Sequence, residues 1–304
     1  MSTSHGAPVF LVGAARSGTS LLYKCLCLHP DTAWISNWVR RFPGRPGLAV
    51  LNRVPGRFPE LQGDVWFGGG GNAYVYGSRR RLAARLFPMP VEGEPVFHHS
   101  GIPAPTAASP PPSGAELEAL RAAVERITRA GGGRVFVNKR IGNNWRIPLL
   151  LAAFPSARFV EIVRDGRAVA YSLSKVDWWD DSELPWLGGG TPRELHVAGY
   201  DAWGLCARNW VAELDAIAGG LRGVAPERHL RFHYEEFVAD PLETLARVAA
   251  FAGLAPDAGW RHRLAGLRFP DGNETWKAKL PPAIVRRIET EQADKLREHG
   301  YAFA

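Results

Sequence analysis

The chain reads as an α/β protein: a P-loop-like parallel β-sheet flanked by helices, with irregular insertions over one end. Three observations predict this. The glycine loop Val12-Gly13-Ala14-Ala15-Arg16-Ser17-Gly18-Thr19-Ser20 stands between an apolar run and a helical run. Strand, loop and helix in that order make a phosphate cradle, because loop N–H groups and the positive helix end converge on one anion. Apolar strand-length runs then alternate with helix-length segments, the order that builds a parallel sheet through right-handed crossovers. Finally, three predicted strands end in polar residues, at the Gly13 loop, at Asn138-Lys139-Arg140 and at Arg164-Asp165. Ligands of open parallel sheets sit at such carboxyl ends, so the three predict one site.

In order, Pro8 to Val12 is the first strand, and Leu21 to Leu28 the first helix, stopped at His29-Pro30-Asp31 because proline cannot continue the hydrogen-bond ladder. Thr32 to Ser36 reads as a short second strand. Asn37 to Pro112 loses periodicity, with the run Gly68 to Gly71, Pro88-Met89-Pro90 and Pro110-Pro111-Pro112. So long an irregular stretch in a compact domain predicts a lid or binding wall over the site. Helical order returns over Glu116 to Thr128, where Leu117, Leu120, Val124 and Ile127 form a stripe that Gly131-Gly132-Gly133 ends. Arg134 to Asn138 is a strand, Trp145 to Phe154 a helix, and Arg158 to Val163 a strand opening onto Arg164-Asp165-Gly166-Arg167 and another helix. A second interruption runs from Trp178 to Pro192. After it come a helix over His196 to Ile217, a strand over His229 to His233, a helix over Leu242 to Phe251 and a last helix over Pro282 to His299. There is no internal repeat, and 304 residues suit one domain, 1–304, with insertions at 37–112 and 178–192.

Composition narrows the class. Apolar residues make up 46% and charged residues 22%, and no apolar run reaches the length of about 18 residues that a membrane span needs. Met1 to Pro8 lacks a signal-peptide pattern, and three cysteines, Cys25, Cys27 and Cys206, cannot build a disulfide framework, which predicts a reducing cytoplasm. The net charge of +7 comes from dispersed residues with only Arg79-Arg80-Arg81 as a run, which an anionic small ligand accounts for as well as nucleic acid does, and nucleic acid is not expected as a partner. Cys25 and Cys27, without further ligands nearby, make a poor zinc site, so no metal is expected.

The Gly13-to-Gly18 spacing is that of nucleotide-hydrolysing loops, yet Thr19 stands where they require lysine. In this and four other places the chain resembles the sulfotransferases that use 3′-phosphoadenosine-5′-phosphosulfate. Arg16-Ser17-Gly18-Thr19-Ser20 matches their 5′-phosphosulfate core R-S-G-T-[ST], followed by His29-Pro30. Val163-Arg164-Asp165-Gly166-Arg167 with Ser172 matches their 3′-phosphate motif, and Tyr234-Glu235-Glu236-Phe237-Val238 their Y-E-x-[LF]-V segment. Asn138-Lys139 and the tail Thr275-Trp276-Lys277 are similar to the tyrosylprotein branch. The resemblance implies that the donor is the co-substrate, held by Ala14, Ala15, Arg16, Ser17, Gly18, Thr19 and Ser20 at its 5′ end. Arg164, Ser172, Tyr234 and Lys277 then serve the remaining donor contacts. The irregular insertions, by their length and their aromatics, are expected to form the acceptor side, and the expected acceptor is a small molecule, glycan or lipid offering a hydroxyl or amine.

The physical reading agrees. Sulfuryl transfer leaves charge growing on the bridging oxygen, which Arg16 in the cradle and Lys139 at the next strand end are placed to stabilise, without a metal in principle. Arg164 offers a bidentate donor for a phosphate; Ser172, eight residues on and about two helical turns away, joins it only if Arg164 precedes the helix. The catalytic base is not carried over, because the tyrosylprotein branch has a glutamate where this chain reads Trp34-Ile35-Ser36-Asn37-Trp38. His98 and His99 lead the candidates, histidine being tunable near neutral pH, with Asp64 and Glu60 behind them. Of the 11 tryptophans, Trp34, Trp38, Trp66, Trp178, Trp179 and Trp186 fall in the irregular stretches and either pack lids onto the core or wall an acceptor pocket. Two rival readings share the loop: an ATP/Mg kinase, against which the absent lysine counts, and a non-catalytic nucleotide or polyanion binder.

Overall fold

The central strand of the sheet is its most apolar: Val9, Phe10, Leu11 and Val12 are all buried, a run without alternation because both faces are covered. The computed structural model describes residues 5–68, 85–106 and 111–304. Its strands β1 (Val9–Val12), β2 (Thr32–Ala33), β3 (Val135–Lys139), β4 (Arg158–Val163) and β5 (His229–His233) form one parallel sheet in the order β2-β3-β1-β4-β5. Leu11 lies opposite Lys139, Val12 opposite Glu161 and Val163 opposite His233. These registers bring the carboxyl ends of β1, β3, β4 and β5 to one edge. The chain fills the β2-β3 side first and then crosses β1 to reach β4, so the topology switches sides at β1, where open sheets bind ligands.

Helix α1 (Thr19–Cys27) follows the glycine loop and buries Leu22, Cys25 and Leu26. Within the first insertion lie α2 (Asn37–Arg41), α3 (Pro59–Phe67) and α4 (Glu94–His99), joined in part by 3-10 turns at Pro46–Arg53 and Pro55–Arg57. The stretch is thus more helical than its sequence predicts. These helices are short, and α3 and α4 carry proline in the first turn, so no apolar stripe repeats often enough to be read. Gly69 to Gly71, Arg79-Arg80-Arg81 and Pro110 lie outside the described residues.

Helix α5 (Gly114–Gly131) opens on a capping box between Ser113 and Glu116 and ends at Gly132, whose φ of 81° only glycine adopts cheaply. A 3-10 turn at Ile141–Trp145 leads to α6 (Ile147–Ala153), and α7 (Gly166–Leu173) follows β4. The helix predicted over His196 to Ile217 is two, α8 (Pro192–Val197) and α9 (Ala202–Gly220), separated at Gly199, whose φ is 90°. Past β5 come α10 (Tyr234–Ala239), α11 (Pro241–Ala252), α12 (Ala258–Ala265), α13 (Thr275–Lys279) and α14 (Pro282–Glu298). The second strand is shorter than predicted because only Thr32 and Ala33 pair with β3. None of the helices among the described residues is long and apolar enough to cross a membrane.

Candidate active site

The glycine loop is pressed against its neighbours. At Gly13, with φ 150°, a Cβ would lie 2.5 Å from the Ile162 carbonyl oxygen; at Gly18, with φ 87°, it would lie 2.7 Å from the Tyr234 ring. Between them Arg16 takes the left-handed conformation, φ 71°, the one non-glycine residue to do so among those described. No side chain caps α1, so its first-turn N–H groups face the loop's concavity unpaired by a cap. The Ser17 hydroxyl is buried without a hydrogen-bond partner among the described residues. An uncapped helix start beside a buried, unsatisfied hydroxyl fits an anionic phosphate or sulfate group.

Two arginines join the loop to β4. Arg16 Nε donates to Ser172 Oγ on α7 at 2.9 Å, and Arg164 Nη1 donates to the Arg16 carbonyl at 2.8 Å. Arg164 precedes α7, which Asp165 caps by accepting the Arg167 N–H at 2.9 Å, while Ser172 stands in the last turn of the same helix, so Arg16 is held from both ends of α7. The Arg164 guanidinium lies 4.3 Å above the Tyr234 ring, and Tyr234 Oη donates to the Pro270 carbonyl at 3.2 Å. Burial pulls the Arg164 pKa down, while Tyr234 and Glu235 oppose it.

At the end of β3, buried Lys139 is ion-paired with Glu92, which also accepts from Arg140 Nη1 at 2.6 Å. Burial would raise the Glu92 carboxyl, but Lys139 and Arg140 outweigh it and hold it at about 2. Glu94 accepts from Arg140 Nε and Arg146 Nη1, each at 2.9 Å. Glu92 reaches this place because Ser36 forms an antiparallel bridge with Pro90 and Val91 N–H donates to the Ile35 carbonyl at 2.9 Å. The segment before α4 thus runs beside the continuation of β2. Asn37, just past that continuation, is occupied in clamping the two together: Nδ2 donates to the Phe87 carbonyl at 3.0 Å and Oδ1 accepts the Met89 N–H at 3.2 Å.

A second carboxylate lies behind the loop. Glu213, in the middle of α9, accepts from the Ala15 N–H at 3.2 Å, from Asn144 Nδ2 at 2.7 Å and from Asn209 Nδ2 at 3.1 Å. Both amides are oriented by other partners: Asn144 Oδ1 accepts the Gly13 N–H at 3.2 Å, and Asn209 Oδ1 accepts Trp186 Nε1 at 3.0 Å. Three donors therefore converge on a group that must accept with both oxygens. Burial nevertheless pushes the Glu213 carboxyl up to about 7, against those donors and the charge of Lys139.

Ala15, Glu92, Arg140 and Glu213 line one part of a cavity of about 820 Å³ whose lining also includes Ile141, Trp145, Trp178, Trp179, Leu184 and Pro185. Charged groups able to move a proton thus share a cavity with an aromatic wall, the arrangement of a small-ligand site. Among the described residues no group of three or more His, Cys, Asp or Glu is placed to hold a metal ion.

Residues 97–258, more than half of the chain, match the profile of the sulfotransferase family. The chain belongs to the sulfotransferase family. A protein-tyrosine sulfotransferase of Drosophila melanogaster is 20% identical over 149 residues, covering 48% of this chain but only 26% of that protein's length. Among solved structures, a sulfotransferase of Mycobacterium avium shares the fold with a TM-score of 0.61 at 16% identity, over 98% of this chain and 78% of its own. A Mycobacterium tuberculosis sulfotransferase does so with a TM-score of 0.54 at 15% identity, over 95% and 78%.

In this family member, the loop residues Ala14 to Ser20, with Arg16 among them, and Arg164, Ser172 and Tyr234 come together at the β1 and β4 ends, with Lys139 at the adjoining end of β3. Ser172 meets Arg16 rather than Arg164. Lys277 stands apart from them among the described residues: it is exposed, ion-paired with Glu274 and 5.8 Å over the Trp276 ring. His98 lines the cavity from α4, exposed and 3.3 Å from Glu94, whereas His99 packs against Gly44 and is absent from the lining. Asp64 and Glu60 are exposed on α3 and do not line the cavity. Glu92, Glu213, Asn144 and Asn273 are the functional candidates that the sequence did not announce. A signal existed for Glu213, since it and Asn209 interrupt the otherwise apolar stripe of Cys206, Trp210 and Ile217.

Proposed function

We propose that the protein transfers a sulfuryl group from 3′-phosphoadenosine-5′-phosphosulfate to a hydroxyl or amine of an organic acceptor in the 820 Å³ cavity. The observation that carries the reading is the Lys139–Glu92 pair, a cation on the strand beside β1 joined to a carboxylate that lines the cavity. Family membership favours it over the kinase and the non-catalytic binder. The unsatisfied Ser17 hydroxyl and the uncapped start of α1 suit the 5′ end of the donor, and Arg164 over Tyr234 suits its 3′-phosphate.

When bound, the donor supplies a sulfur already joined to a phosphate leaving group. Lys139 and Arg16 offer cationic donors to the charge that grows on the bridging oxygen. Glu92 takes the acceptor's proton. Held by Lys139 and Arg140 it is a weak base, but as Lys139 turns to the leaving oxygen the carboxylate loses the cation that held it down, and its basicity rises when it is needed. The aromatic wall of Trp145, Trp178 and Trp179 suits the apolar body of a small molecule, a sugar face or a lipid chain.

The test is thermal stabilisation by 3′-phosphoadenosine-5′-phosphate, by ATP with Mg²⁺ and by 5′-AMP, followed by transfer of labelled sulfate to a panel of hydroxyl and amine acceptors. A ligand at 100 times its Kd adds about 2.7 kcal/mol. The 3′-phosphorylated nucleotide is expected to stabilise most; equal effects from all three would sink the reading.

A further inference from the structure

We infer that the C-terminal tail is part of the donor site: Tyr301, through Glu235 and Asn273, fixes the Arg164 guanidinium and so sets the preference for a 3′-phosphorylated nucleotide. The inference rests on the donor reading above.

Past α14 the chain turns at Gly300, φ 74°, and the Tyr301 N–H donates to the Leu296 carbonyl at 2.8 Å. This carries the Tyr301 ring to within 5.6 Å of the His233 ring, edge-on, at the end of β5. Its hydroxyl donates to Glu235 Oε2 at 3.1 Å. The other carboxylate oxygen accepts from Asn273 Nδ2 at 2.7 Å and from the Asp165 N–H at 3.3 Å. With its amide nitrogen committed to Glu235, Asn273 presents its oxygen to Arg164 Nε, 3.0 Å away. Arg164 Nη1 then reaches the Arg16 carbonyl, and Arg16 reaches Ser172.

The polarity of this relay has one consistent assignment. Glu235 is an acceptor at both oxygens, so Tyr301 and Asn273 must both donate, which leaves Asn273 only an acceptor for the guanidinium. Nε and Nη1 are thereby held, while Nη2 makes no hydrogen bond among the described residues and lies beside Gly272, 3.9 Å from where a Cβ there would stand. A planar fork held at two nitrogens offers its remaining N–H groups in a fixed direction, which matters for a tetrahedral dianion and not for a 3′-hydroxyl. Tyr301, Glu235 and Asn273 are therefore positioning residues, acting through Arg164.

The test is a double-mutant cycle with Tyr301→Phe and Asn273→Ala in the full chain, read by calorimetric Kd for 3′-phosphoadenosine-5′-phosphate and for 5′-AMP. Each single variant is expected to weaken the 3′-phosphorylated nucleotide about tenfold, the effect of losing one charge-assisted hydrogen bond, and to leave 5′-AMP within about twofold. The double variant is expected to lose no more than Asn273→Ala alone, because Tyr301 acts only through Asn273. Donor KM rises and kcat at saturating donor stays unchanged. Additive losses, an equal loss on both nucleotides, or no loss would each overturn the relay while leaving the wild-type preference, and with it the sulfotransferase reading, intact. A wild type without preference would overturn both. Should Tyr301→Phe not fold, Glu235→Ala, which removes the acceptor that Tyr301 and Asn273 share, carries the same expected loss and the same overturning results.

Discussion

The two halves of the site are made differently. The donor half rests on two short sequence patterns, each following its own strand: the loop N–H groups with a glycine at each end after β1, and Arg164 with Ser172 about two turns along after β4, which meet at Arg16. The acceptor half is assembled from distant segments. Lys139 comes from β3, Glu92 from across the Ser36–Pro90 bridge, and Trp178 and Trp179 from the second insertion. A loop that binds by its main chain tolerates little change in shape but much in side chain; a proton-moving pair has the opposite tolerance. Binding and chemistry should therefore separate by mutation.

The sharpest separation is expected at Lys139. Lys139→Met leaves Glu92 paired with Arg140 and should lower kcat about 10³-fold, as removal of a donor to developing charge does, while the Kd for 3′-phosphoadenosine-5′-phosphate stays within a few-fold. Loss of nucleotide binding in this variant would merge the two halves. Glu92→Gln should lower kcat about 10²-fold through loss of general base catalysis, again with donor affinity kept. Turnover near wild type would return the role of base to another residue.

Glu213 touches both halves, and its effect should appear in stability. The folded chain keeps its proton up to about pH 7, whereas the unfolded chain releases it near 4.5. Between these values the folded state binds more protons, so this group's contribution to stability falls as pH rises, by about 3 kcal/mol in all. Urea titrations of wild type and Glu213→Gln at pH 4.5 and 7.5 should show the gap moving in favour of the variant at the higher pH. A gap that does not change with pH would mean that Ala15, Asn144 and Asn209 cancel the cost of burial. The smallest effect belongs to His98. It is exposed, and its partner Glu94 is also held by Arg140 and Arg146, so His98→Ala should change kcat by no more than about twofold.

The same division explains what could be read in advance. The parallel sheet, the loop and the places of Arg164 and Lys139 at strand ends were legible because each is a short pattern placed by the strand it ends, whereas the partner of Ser172, which is Arg16, was not. Glu92 was not, because its position depends on a bridge between residues 54 apart in sequence, Ser36 and Pro90. His98 and His99 looked suitable by residue type alone. On α4 the helical turn sends one to the cavity and the other to Gly44. Asn273 required knowing that the tail after α12 folds back over Tyr234, which no local pattern specifies.

One loop residue sets comfort against use. Arg16 holds a left-handed backbone, φ 71°, that costs a side chain-bearing residue about 1–2 kcal/mol and turns its carbonyl to Arg164. Glycine at this position would relieve that cost while forfeiting about 0.5–1 kcal/mol to the freedom of the unfolded chain. Arg16→Gly should therefore keep an unfolding free energy within about 1 kcal/mol of wild type, and yet transfer little sulfate. Selection for endurance alone would tend to erase this arginine, so among thermally hardened variants its loss would mark a protein kept for its shape and no longer for its work.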